Sequence, residues 1–121
     1  MYNENIKQNF IEHYITTIQE HYFPLVVESC RQRFMALFEK VESFELMYNK
    51  DCSEFSRVQI EAMFNAFGLH SVATLRGYQS MLIKYTEYVT NAPNYYVTFG
   101  YDDLVALVVE EKENTNVQSR I

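Results

Sequence analysis

The chain has few breakers. Three glycines and two prolines in 121 residues leave little material for tight turns, which excludes collagen-like, loop-rich and low-complexity architectures and favours long uninterrupted helices. Tryptophan is absent, so ten tyrosines and nine phenylalanines must supply the large side chains. The two cysteines, Cys30 and Cys52, are far apart and form no Cys-x-x-Cys. That spacing argues against a zinc ribbon or a redox pair. No signal peptide is visible and no apolar run approaches the roughly 18 residues needed to span a bilayer. The chain therefore reads as cytoplasmic, in a reducing compartment with free thiols and no membrane contact. A phosphate-binding loop and a glycine-rich nucleotide fingerprint are both missing. His13, His21 and His70 are scattered without metal-ligand spacing, no Ser-His-Asp arrangement stands out, and no cofactor is expected.

Net positive charge is lacking as well. The formal charge is −6, which argues against holding nucleic acid by bulk charge. The acidity is uneven, however. Residues 1–23 set Glu4, Glu12 and Glu20 against a single Lys7, and the last thirty residues are acidic, whereas the middle of the chain is close to balanced. A local basic face remains compatible with this distribution. With 48% hydrophobic residues the chain can bury one core, and its length corresponds to one domain.

Periodicity then places the helices. Ile6, Phe10, Tyr14 and Ile18 repeat every fourth residue and predict a first helix over about residues 4–21. Pro24 interrupts and suits the first turn of a second helix. That helix carries the most regular stripe, Val27, Cys30, Phe34, Leu37, Val41, Phe44 and Tyr48, and should run to about Met47. Its opposite side is assigned Arg31, Gln32, Glu39, Glu42 and Glu45; Cys30 is a small core residue. After a loop at 51–54, Ser56 and Gln59 have capping-box spacing, with Phe55 as the staple residue. They open a third helix over 57–67 that Gly68 stops. Ser71 is a natural N-cap for a fourth helix, over 71–91, whose stripe is Val72, Leu75, Tyr78, Leu82, Tyr85 and Val89. Arg76, Ser80 and Lys84, four apart, make a separate basic and hydroxyl-bearing face. Gly77, costly in a helix, is a candidate point of close approach by a helix or ligand. Residues 95–99 are extended, and Tyr95-Tyr96 would pack a chain reversal or stack on a partner or a base. Tyr101-Asp102-Asp103-Leu104 opens a fifth helix, predicted to reach about Glu113, with aspartates suited to its dipole. The expected fold is all-α, a bundle of four to five helices. Residues 1–93 form the domain, the first helix being an optional extension of it, and 94–121 a connector, short acidic helix and frayed tail.

The order of these segments resembles the core-binding domain of the tyrosine recombinases, or phage integrases. The likeness rests on a Phe/Leu-rich helix at Arg33–Met47, on Phe55-Ser56-Arg57-Val58-Gln59, on Ser71-Val72-Ala73-Thr74-Leu75, and on closure at Asn91-Ala92-Pro93. Phe99-Gly100-Tyr101-Asp102-Asp103-Leu104 is similar to the segment that opens the family's catalytic domain. The acidic, tyrosine-rich style also resembles recombinase-fold lysogeny repressors of SPβ-like Bacillus phages. The resemblance implies a domain that clamps double-stranded DNA with its second and fourth helices in a bacterial host cell. The implied contacts are Arg31 and Arg33 on the second helix and Thr74, Arg76, Gln79, Ser80 and Lys84 on the fourth; the same residues also read as an ordinary solvated face. The family's catalytic set includes His-x-x-Arg, and none occurs here, so the chain alone is not expected to cut DNA. It is either part of a longer recombinase-like protein or a relative kept for binding. The rival reading, from a different class, is a small acidic protein-interaction or self-association module with no DNA affinity.

Overall fold

The structure, a computed structural model of the chain, describes residues 1–92 and 98–109. Among these residues every regular element is helical: α1 (Glu4–Ile18), α2 (Pro24–Tyr48), a single 3-10 turn (Cys52–Glu54), α3 (Arg57–Ala66), α4 (Val72–Thr90) and α5 (Tyr101–Leu107). The all-α expectation holds, and the helix starts follow local chemistry. Pro24 occupies the first turn of α2, and the helix ends where Asn49 turns left-handed at φ 57°. Ser56 and Gln59 close the capping box of α3. Ser71 accepts the Thr74 backbone N–H at the start of α4. Gly68, at φ +63°, supplies the left-handed residue just beyond α3.

The helices enclose one aromatic-rich core. Phe10 meets Phe34 edge-on at 5.0 Å and Tyr85 at 5.4 Å, and Phe38 meets Tyr85 at 4.9 Å, so rings from α1, α2 and α4 lock at the centre. T-shaped pairs of this kind add to what area burial alone supplies. Phe99 and two α5 residues, Leu104 and Leu107, close the same core from the side of α3 and α4. Arg57 of α3 fastens this corner. It donates to the Thr98 carbonyl at 2.8 Å, lies 4.1 Å from the centre of the Phe99 ring, and pairs with Asp103 at 3.6 Å.

Several expectations change in detail. α5 ends at Leu107, because Val108 is already extended at ψ 156°; most of its expected continuation lies outside the described residues, as do Tyr95 and Tyr96. Val89, the last stripe position of α4, is partly exposed, as is Ile6 on α1. Glu45 is the largest correction. Its place on the outer side of α2 does not hold, since it is fully buried. The reason is the ammonium of Lys7 on α1, which donates to its carboxyl at 2.7 Å.

Candidate nucleic-acid interface

Small residues keep a groove open between α2 and α4. Ala36 stands on one wall and Ala73 and Gly77 on the other, leaving a recess of about 250 Å³ with Arg33 and Thr74 at its edge. A second recess continues along the same line past Gly77 and Met81 to Ser80, Lys84 and Cys30. A Cβ on Gly77 would stand 3.9 Å from the Arg33 guanidinium, which is ordinary contact, so this glycine admits the arginine without being forced by it. Among the described residues no carboxylate lines either recess.

The sequence candidates separate into two groups. Arg33, Thr74, Ser80 and Lys84 share this groove and are all exposed. The Lys84 ammonium also donates to the Ser80 hydroxyl at 3.3 Å, as their spacing on one helix face allows. Arg76 is exposed as well but turns towards α5, with its guanidinium 5.9 Å from the Tyr101 ring centre. Among the described residues Arg33, Arg76 and Lys84 have no carboxylate partner within ion-pair distance.

Two candidates lie elsewhere. Arg31 faces α1, where its guanidinium pairs with Glu12 and, at 3.4 Å, with Glu28 of its own helix. The Glu12 hydrogen bond, ahead of smaller opposing and supporting effects, holds its charge even more firmly than usual. Gln79 is only 8% exposed. Its side-chain oxygen accepts the Phe99 backbone N–H, and its amide reaches the Phe99 carbonyl at 3.5 Å. Gln79 thus satisfies a buried stretch of chain rather than facing outward, because Phe99 needs backbone partners where it enters the core.

One cation is absent from the sequence candidates. Lys40 lies seven residues beyond Arg33 on the same side of α2, with its ammonium 5.0 Å from the Phe67 ring centre. Phe67 in turn packs edge-on against Tyr78, which lines the groove. The seven-residue spacing from Arg33 was the available signal.

A second polar site lies under α1, fully enclosed. The Lys7 ammonium donates to the Tyr2 carbonyl at 2.6 Å, to Glu45 Oε2 at 2.7 Å and to Asp51 Oδ1 at 2.8 Å. Lys7 and Glu45 are 0% exposed and Asp51 is 3% exposed. The Tyr85 hydroxyl of α4 donates to Asp51, and Cys52 N–H donates to Glu45 at 2.8 Å. Burial works against the Lys7 charge, yet the Asp51 and Glu45 acceptors outweigh it and its pKa rises. Burial would likewise raise Asp51, but hydrogen bonds from Lys7 and Ser53 bring it below the ordinary aspartate value. Burial, seconded by Asp51, pushes the Tyr85 phenol far upward, so it stays a donor. Glu45, Asp51 and Cys52 bring three potential ligand atoms within 4.8 Å of one another. Lys7 already supplies the cation there, and burial, ahead of both carboxylates, keeps the Cys52 thiol protonated. The cluster is a structural tie among α1, α2, the 3-10 turn and α4.

Comparison with known proteins agrees with this architecture. Residues 1–91 match the family described as MrpR, N-terminal core-binding domain. An SPbeta prophage-derived uncharacterized protein, YopR, from Bacillus subtilis (strain 168) is 26% identical over 95 residues. The aligned region is 78% of this chain and 28% of that protein, so the chain spans under a third of its relative's length. No solved structure matches. No helix among the described residues is long and apolar enough to cross a membrane.

Proposed function

Because the chain belongs to the MrpR N-terminal core-binding domain family, we propose that it binds duplex DNA through the α2–α4 groove and that none of its own residues cleaves a strand. A core-binding domain is the non-catalytic half of a recombinase-type clamp, and the role here is to hold DNA for integration or for catalytically inactive regulation of phage genes. The prophage origin of the relative supports a phage setting.

Charge placement carries the reading. In a chain of net charge −6, the groove walls hold Arg33 and Lys84 and, among the described residues, no carboxylate. Cations of this kind hold phosphates, and their contacts set register on the duplex. The Thr74 and Ser80 hydroxyls line the same groove and suit phosphate or base edges. Arg76 extends the surface towards α5, and Lys40 extends it along α2. Arg31 and Gln79 are left out, since one is held by Glu12 and Glu28 and the other by Phe99. The small number of cations implies a weak, salt-sensitive grip.

Fluorescence anisotropy with a random-sequence duplex at about 50 and about 200 mM salt, the range in which phosphate binding registers, tests this. Affinity should fall steeply with salt. Arg33→Ala with Lys84→Ala should reduce the slope of log affinity against log salt by about 0.9 for each phosphate that is no longer neutralised. An unchanged slope in the double variant would remove this groove from the interface.

One observation favours the rival reading of a protein-interaction module. Phe23 and Leu25, at the α1–α2 turn, are 82% and 85% exposed, beside a recess lined by Tyr22 and Val26. Apolar surface concentrated in this way marks contact sites. Sedimentation at rising concentration separates the two: a monomer that binds DNA fits the groove, and a self-associating chain with no DNA affinity at low salt fits the turn.

A further inference from the structure

Lys7 has three ammonium hydrogens, and each has an acceptor in Tyr2, Glu45 or Asp51. Asp51 is amply supplied with donors. Besides Lys7 it receives the Tyr85 hydroxyl at 3.0 Å from both oxygens, the Ser53 N–H at 3.0 Å and the Ser53 hydroxyl. Glu45 is not. Its Oε2 accepts from Lys7 and from the Cys52 N–H, while its Oε1, equally buried, has no partner. The charged and titratable groups that face Glu45 are Lys7 on α1, Asp51 and Cys52 in and beside the 3-10 turn, and Tyr85 on α4. Lys7 is the one cation in that group.

With both carboxylates ionised, this sealed site would carry one uncompensated negative charge. A buried carboxylate in that position takes up a proton rather than bear the desolvation. The carboxyl with fewer donors is the one that should take it. A neutral carboxyl leaves Oε1 as an unpartnered hydroxyl, whereas an ionised one leaves a bare anionic oxygen in the core, a far costlier state.

We propose that Glu45 holds a proton in the folded protein, on Oε1, and that the Lys7–Glu45–Asp51 cluster is a pH-sensitive clamp on α1. The clamp ties α1 to α2, the turn and α4 while Glu45 is neutral, and it loosens when Glu45 ionises. Burial raises the Glu45 pKa against the pull of Lys7, the direction the geometry requires. A carboxyl whose pKa is raised on folding stabilises the fold at pH values below its unfolded value, and that stabilisation is lost as pH rises through the folded value. Glu45 therefore weakens the fold on the alkaline side. Asp51, shifted downward, weakens it only in strong acid.

Carboxyl ¹³C NMR of the full chain tests the clamp, with Glu45 assigned through its own side-chain correlations. At a pH where the exposed glutamates have just lost their protons, Glu45 should still show the shift of a protonated carboxyl. In Glu45→Gln, a mimic of the neutral acid, the unfolding midpoint should stay near wild type and lose the wild-type decline towards alkaline pH. An ionised Glu45 signal at that pH overturns the proposal. So does a Glu45→Gln midpoint that lies well below wild type at every pH. Should that variant fail to fold, the wild-type titration alone decides.

Discussion

Lys7→Met keeps a side chain of nearly the same length and removes the ammonium from the enclosed site. Lys7 is 0% exposed and makes three hydrogen bonds of 2.6 to 2.8 Å, so the loss is electrostatic rather than a cavity. Asp51 is then left charged with only the Tyr85 and Ser53 donors, and the Tyr2 carbonyl loses its partner. Removing one member of a buried pair costs about 3–5 kcal/mol, a large part of the roughly 5–15 kcal/mol that holds a domain of this kind together. At about 4–8 °C per kcal/mol for a domain near this size, the melting temperature should fall by at least about 12 °C. The assay is urea unfolding followed by circular dichroism, repeated from neutral to mildly acid pH. The sign of the pH effect follows from linkage. Without Lys7, both carboxylates bind protons more tightly in the folded state than in the unfolded chain, so the variant's deficit should shrink as pH falls towards the ordinary carboxylate range. In the wild type the Lys7 pKa is raised, so its own contribution persists below the ordinary lysine value and is lost as pH rises through the folded value. A Lys7→Met variant within about 1 kcal/mol of wild type at neutral pH, below the range expected for a broken buried pair, would refute the reasoning. A deficit indifferent to pH would do the same.

Two further outcomes concern α4. Gly77→Ala should raise stability by up to about 1 kcal/mol, because the helix propensity gain meets no steric obstacle at 3.9 Å from Arg33; denaturant midpoints check it, and a loss of stability would show that the glycine is needed for close approach. Gln79→Ala should cost about 1–3 kcal/mol by leaving the buried Phe99 amide unsatisfied, while the salt dependence of DNA binding stays as in wild type; a reduced salt slope would return Gln79 to the interface.

The periodic segments were legible because local chemistry sets them. The α2 stripe of Phe34, Leu37 and Val41 is buried as its spacing requires. The caps at Ser56 and Ser71 form where the sequence places them, since a capping hydroxyl needs only a backbone N–H three residues away. Half of the groove could be read in the same way. Ser80 and Lys84 share a helix face by spacing, and a face within one helix is fixed by 3.6 residues per turn.

Tertiary structure decided the rest. Helix geometry alone sets Arg31 and Arg33, two residues apart, about 200° apart around α2, but what each side meets is not written in the helix: one arginine is taken by Glu12 of α1, and the other opens into the groove beside Gly77. Gln79 is named by the family resemblance alone; its spacing, four after Leu75 and three before Leu82, is that of the buried stripe, and it is the chain at Phe99, folding back on it, that gives its amide a partner there. Lys7 and Glu45 did leave a trace, since each sits within the span of an apolar stripe. Lys7 lies three and four residues before Phe10 and Ile11, and Glu45 lies four after Val41. The meaning of those two positions depends on a contact 38 residues apart in sequence. Periodicity locates a face. The buried Lys7 charge is tolerable only because distant acceptors, the carboxylate of Asp51 among them, arrive at the same point, and packing alone brings them together.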